Sequence, residues 1–424
     1  MNMPLAKRIS GYFTSEPARR RLELTVAALL FAYPVVLLSI RGGMSTCFTV
    51  LVVLSCLYLS TMRPASAGVL FDARATAYAA AMSSMVLATA LSAVVHDRAS
   101  LSILDGPSRL LLAIPIYLML REMPLRVLTI SQYGFPLGAI AAAGFVLFYP
   151  PNWSESRAGT YFANVIHFGD LALVLGLLSI LSLHWCREDS NAVVSLKVVG
   201  LAAGVFSSIA SGTRGGWIAI PVSFAIWLYF LREKLPKSVR WAAILTLIIV
   251  VAAIALSPTS QRRLIQLYEE FADLPINMDS SLGLRLQLWK ASWLLFLEHP
   301  FTGIGPEQFD RFLPLLSDAG IITQAASEIG LAEIHSEIMM RSAALGLPGL
   351  AAILAIHVVP FILFASEIRS AEIHKRRAAV MGICLVASFV LFGLTVEIYN
   401  LKMTVTFYSM TLSLLLSVVN ARTS

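Results

Sequence analysis

Residues 343–365 read AALGLPGLAAILAIHVVPFILFA, 23 residues with no formal charge and one histidine, His357. Wound as a helix at about 1.5 Å per residue, the run is long enough to cross a hydrocarbon core about 30 Å thick. Apolar and polar residues do not alternate with period two, so the run is not a barrel strand, and a helix is the form that satisfies its backbone in lipid. Eleven more apolar runs follow the same pattern, at 24–40, 47–62, 75–95, 103–120, 127–148, 165–183, 193–210, 216–230, 241–256, 378–398 and 404–419. With 57% hydrophobic and 13% charged residues, the chain has too little charge to cover a water-facing surface of this size. The fold class expected is an all-α polytopic membrane protein with about 12 transmembrane helices.

Charge between the runs sets the orientation. Loops on the N-terminal side hold 20 of the 32 Lys and Arg, among them Lys7, Arg8, Arg63, Lys197, Arg232, Lys234, Arg377 and Arg422, against 9 of the 25 acids. The opposite side holds 12 basic and 16 acidic residues, so the two sides carry +11 and −4. Lys and Arg concentrate on the cytoplasmic side of membrane proteins, which places both termini in the cytoplasm. As topology anchors facing anionic lipid, these residues account for the net charge of +7 without a nucleic-acid partner. The N-terminus is polar and basic and the first apolar run is long enough to span, so a cleavable signal peptide is not expected. Cys47, Cys56, Cys186 and Cys384 form no CxxC pair, which argues against a disulfide framework or a zinc site.

One connection breaks the pattern of short loops. Residues 258–334, 77 in number, lie on the outer side and are too rich in aromatic and aliphatic side chains to be disordered. Ser260 can cap a helix reaching about Phe271, and Asp279 or Ser280 can start another that runs to Leu297. Pro300 ends it, Gly303-Ile304-Gly305 turns the chain, and Pro306 suits the start of a third. The organisation expected is a nine-helix bundle over 1–257, a folded helical loop on the periplasmic side over 258–334, and three more helices over 335–424. Long ordered connections of this kind are usually functional.

Three outer-face motifs could carry chemistry. Ser211-Gly212-Thr213-Arg214-Gly215-Gly216-Trp217 joins two spans, and its glycines let a ligand approach the backbone, though a plain hairpin turn with an interfacial anchor has the same residues. In the second, Arg285, Trp289, Ser292 and Phe296 share one helical face, as they would on an amphipathic helix lying on the membrane. The third is His335-Ser336-Glu337, where the long loop meets the next span. His167, after Arg157, Gly159 and Asn164, is a second candidate histidine. No HExxH, DxD or His/Cys cluster lies outside, so no metal site is expected. Arginine binds phosphate through two parallel bonds and histidine can take a proton near neutral pH. Together they suit displacement at a carbon whose leaving group is a diphosphate.

The stretch from Ser211 to Gly349 resembles the superfamily of O-antigen ligases, O-antigen polymerases and bacterial O-oligosaccharyltransferases. The resemblance rests on Ser-Gly-Thr-Arg-Gly-Gly at 211–216, Arg285 with Leu288, Trp289 and Trp293, and His299-Pro300. It continues with Gly303-Ile304-Gly305, Phe309 and His335-Ser-Glu, and ends at Gly346 and Gly349. It implies a GT-C-like glycosyltransferase of the bacterial inner membrane, with no metal or other cofactor and a site on the periplasmic side. The implied donor is an O-antigen glycan on undecaprenyl diphosphate. For a ligase the acceptor is a sugar hydroxyl of lipid A–core; a polymerase would extend lipid-linked repeat units, and a transporter of such glycans is a more distant alternative. A monomer in membrane lipid is the open expectation for assembly. The resemblance assigns His335 as catalytic base and Arg214 and Arg285 as diphosphate contacts. Arg157, Asn164, Trp289 and Glu337 are the candidate substrate-binding residues. Members often read His-Asn-x-x-Leu where this chain has His-Ser-x-x-Met at 335–339, a departure that counts most against the protein-glycosylating branch.

Overall fold

The computed structural model describes residues 16–61, 72–97, 100–149, 157–231, 237–273 and 277–421. Among them every regular element is helical, and the one β contact is an isolated bridge between Thr160 and Ala163. The chain is an all-α polytopic membrane protein. Among the described residues eight helices are long and apolar enough to cross a bilayer, from Gly43–Ser60 to Lys402–Val419. Two apolar helices are shorter, Val165–Leu181 and Gly215–Phe230. The two remaining expected spans fall on the helices Glu16–Val36 and Lys237–Leu256.

Local chemistry explains where these helices start. The Asp72 carboxylate accepts from the Ala75 N–H at 2.8 Å and opens Ala73–Val95. Asn164 opens Val165–Leu181 in the same way. Without water in the bilayer, packing needs close backbones and paired hydroxyls. The helices Val165–Leu181 and Asn191–Ser211 meet so closely that a Cβ on Gly204 would lie 2.5 Å from the Ala172 carbonyl oxygen. At the centre runs Lys402–Val419, where Ser413 pairs with the Tyr78 hydroxyl at 2.9 Å and Tyr408 donates to the Ile356 carbonyl at 2.9 Å.

The anchors are not all at lipid. Lys197 is fully buried, and its Nζ donates to Gln132, the Ser182 carbonyl and Asp189 at 2.9, 2.7 and 2.8 Å. Its place one turn and a half inside Asn191–Ser211 turns its long side chain back into the bundle, where three acceptors replace water. Arg377 is likewise buried and donates to the Leu183 carbonyl. The expected anchors Lys7, Arg8, Arg63, Arg232, Lys234 and Arg422 lie outside the described residues.

The described residues of 258–334 form a cap with the four helices Pro258–Ala272, Ser281–Glu298, Phe309–Asp318 and Gln324–Gly330. Ser280 caps the second, accepting from the Gly283 N–H at 3.1 Å. The third starts at Phe309 rather than at Pro306, because Glu307 takes a left-handed backbone (φ 57°) that no helix continues. The fourth, capped by Thr323, is not foreshadowed by a strong periodicity.

The cap is stitched to the span below it. Glu337–Ala365 breaks at Gly346 (φ 67°, ψ −154°). Pro348 has no N–H for the Ala344 carbonyl, and the Leu347 N–H leaves the helix to donate to the Pro300 carbonyl at 2.7 Å. The carbonyls freed at Ala343 and Ala344 accept from Ile304 and Gly305 at 2.9 and 3.0 Å. A Cβ on Gly303 would fall 2.3 Å from the Ala344 backbone, so the 303–305 turn admits no side chain there. Irregular backbone at this depth is tolerated because protein, not lipid, satisfies it.

Candidate active site

The site is assembled where the cap meets the outer ends of the spans. Ser281–Glu298 turns its Gly283, Leu284, Gln287, Leu288, Ala291, Ser292 and Leu295 face inward and leaves Trp293 and Leu297 exposed. It therefore packs as a cap helix with a buried face. Arg285 and Trp289 stand one turn apart at the border of that face, and the Trp289 indole N–H donates to the His335 carbonyl at 3.4 Å. His335 has a left-handed backbone (φ 60°), strained for a residue with a Cβ. Its Nδ1 is buried without a hydrogen-bond partner and lies 3.7 Å from a Glu333 carboxylate oxygen.

Electrostatics follow from that placement. Burial, joined by the neighbouring Arg285 guanidinium, pushes the His335 imidazole down to about 4. Burial also lowers Arg285, against the pull of Glu333 and Glu270. Glu333 is raised by burial, and Glu397 is pushed by burial up to about 8. The ring at this site is thus neutral at physiological pH, beside a cation on one hand and carboxyl groups on the other.

A polar network holds the His335 segment in place. Glu333 accepts from the Glu397 backbone N–H at 2.7 Å, and Glu397 accepts from the Ile334 N–H at 2.7 Å. Glu337 is almost wholly buried. One of its oxygens accepts from Arg341 Nε at 2.6 Å; the other accepts from the Ile398 and Tyr399 N–H groups at 2.6 and 3.0 Å. Arg341 also donates to Asn400 at 2.6 Å. Both oxygens of Glu337 are engaged, which favours a structural part for it. Sequence reading passed over Glu333, Glu397 and Arg341. Arg341 had a local signal, four residues after Glu337 on one helix face; Glu397 had none.

The second arginine group lies on the neighbouring turn. Gly212 ends Asn191–Ser211 in a left-handed conformation (φ 69°), which frees the chain to turn at Thr213-Arg214. Arg157 Nε donates to the Ser211 carbonyl at 2.8 Å and packs against Gly212. Arg214 is half-buried at the start of the short helix Gly215–Ile218. Gly215 packs on Thr395, two residues before Glu397, and so joins this turn to the segment that carries Glu333 and His335. Asn164 is exposed and its side-chain oxygen caps Val165–Leu181, accepting from Ile166 at 2.9 Å. His167 is buried one turn further along, within electrostatic reach of Glu337. The fold thus groups Arg285, Trp289 and His335 directly, and Arg157 with the Arg214 turn beside them. Among the described residues no three His, Cys, Asp or Glu side chains gather as a metal-binding group.

The segment that carries these residues is similar to known proteins. The family model described as O-antigen ligase matches residues 199–354. An uncharacterized protein of Haemophilus influenzae is 23% identical over 316 residues, which cover 72% of this chain and 76% of that relative. Arg214, Arg285, Trp289 and His335 all fall within the matched segment, as does the whole cap. Residues 199–354 of this polytopic membrane protein thus match the O-antigen ligase family.

Proposed function

We propose that this protein is a lipopolysaccharide O-antigen ligase of the bacterial inner membrane. It transfers glycan from undecaprenyl diphosphate to a sugar hydroxyl of lipid A–core. The observation that carries the reading is the grouping of Arg285, Trp289 and a neutral His335, whose Nδ1 has no hydrogen-bond partner, at the mouth of one span, inside the matched segment. An imidazole nitrogen of His335 takes the acceptor hydroxyl proton as that oxygen bonds to the anomeric carbon. The bond from that carbon to the diphosphate oxygen breaks, and the electron pair leaves with the diphosphate. Arg285 and Arg214 stabilise the departing charge, with Arg157 behind them. Attack from the face opposite the leaving group inverts the anomeric centre. Glu333 is placed to steady the imidazolium once it forms.

The deciding experiment is the lipopolysaccharide banding of a deletion strain. Loss of a ligase leaves core without O-antigen and strands the lipid-linked polymer. Core bearing a single repeat would instead identify a polymerase.

Orientation is part of the reading, with the cap in the periplasm. A cysteine at the exposed Asp318, beside Ser317, should react with an impermeant thiol reagent in intact spheroplasts. The native Cys56 and Cys186 are exposed and must first be removed. Labelling only after lysis would reverse the topology.

Geometry should matter at Arg285 as much as charge. An ammonium cannot form the planar two-bond fork on a phosphate. Arg285→Lys should therefore lose about a hundredfold in rate, on the order of 3 kcal/mol. Near-normal ligation at equal expression would return Arg285 to a packing role.

A further inference from the structure

The segment from Gly330 to His335 is a wall with two sides. On one side is the helix Ser281–Glu298: Gly330 lies against Leu288, and the His335 carbonyl accepts from Trp289. Arg285 belongs to this side. On the other side Leu331, Ala332, Glu333 and Ile334 line a cleft of about 430 Å³, bounded below by the outer ends of three spans and above by the 306–310 part of the cap. That volume falls within the roughly 300–1,000 Å³ of small-molecule sites.

The two sides differ in charge. Glu307 and Asp310 face the cleft from the cap, Glu333 and Glu397, whose carboxyls burial pushes toward the neutral form, lie along its wall, and its one cation is Arg341. Arg341 is already bonded to Glu337 and Asn400, so it offers little attraction to an anion. Carboxylates accept hydrogen bonds from hydroxyls and repel phosphate. Pro107, Ile103 and Phe309 add apolar surface on which a sugar ring can rest.

We propose that this cleft seats the acceptor as a neutral, hydroxyl-rich sugar, while the donor diphosphate stays on the arginine side of the wall. The inference rests on the transferase reading above and adds where the second substrate binds. His335, at the end of the wall, then stands beside the attacking hydroxyl at the point where that oxygen reaches the anomeric carbon. The Glu307 and Asp310 carboxylates also repel a second diphosphate, which keeps donor out of the acceptor seat.

The test uses the purified full chain with lipid-linked glycan as donor and lipid A–core as acceptor, varying each in turn. Ser102→Trp narrows the cleft from an exposed rim position. Asp310→Asn removes one exposed acceptor charge with no change of shape. Each should raise the acceptor KM about tenfold, the size of one charge-assisted hydrogen bond, and leave the donor KM unchanged. A rise in donor KM instead would assign the cleft to the donor. No change in either constant, from both variants, would overturn the proposal. Should the wild-type chain extend lipid-linked polymer and ignore lipid A–core, the ligase reading falls, and the same variants are read on the KM of that lipid-linked acceptor.

Discussion

His335→Ala should lose 10²- to 10⁴-fold in transfer rate, the range for removing a general base, while donor binding survives. A sugar hydroxyl is a poor nucleophile and must shed its proton as the new bond forms. Because His335 sits at φ 60°, alanine there also suffers backbone strain. His335→Asn is the cleaner variant, since asparagine tolerates that backbone and has no basic nitrogen. Both should be equally slow, and a near-normal rate in either would remove His335 from the chemistry. The base works unprotonated, so activity is retained above its pKa and lost as pH falls through it. With the imidazole at about 4 in the free protein, kcat/KM should hold across neutral pH and fall only near that value. Bound diphosphate neutralises Arg285, which removes a cause of the depression, so the acid limb of kcat should lie higher than that of kcat/KM. EDTA in excess should leave the rate unchanged; loss of activity with rescue by Mg²⁺ or Mn²⁺ would replace this scheme with a metal-assisted one.

Glu337→Ala should act on the fold first. It strips a buried carboxylate from Arg341 and from two backbone N–H groups. Removing one partner of a buried charged pair costs about 3–5 kcal/mol, because the other is left uncompensated. The detergent-solubilised variant should melt well below wild type, and Glu337→Gln, which keeps one carbonyl acceptor, should fall between. An unchanged melting temperature with no activity would instead make Glu337 the base, two residues along from His335.

Much of the bundle is legible because the bilayer imposes a length. Runs such as 378–398 and 404–419 have few other readings, and the helix start at Ser280 follows from its capping residue. The arginine and histidine motifs are visible locally because glycines and a helical face mark them. What escapes is set by distant partners. Nothing near Lys197 announces that Gln132, 65 residues away, will draw it inside. The Glu333 carboxylate accepts from the Glu397 N–H across 64 residues, and no periodicity encodes that pairing. Glu337 looked like a reactive group because it stands beside a histidine; only the loop at 398–399 shows where its oxygens go. Asn164 likewise reads as a candidate ligand until its helix is in view.

The break at Gly346 fixes what kind of machine this is. A roof fastened to a span through main-chain bonds at Ala343, Ala344 and Leu347 is not a door. Opening it would strip three amides of their partners at membrane depth, so the cap does not swing aside for each turnover. Traffic through the chamber is then two-dimensional. On the proposed reading, lipid-borne reactants then reach the site from the plane of the bilayer and not through an opening roof.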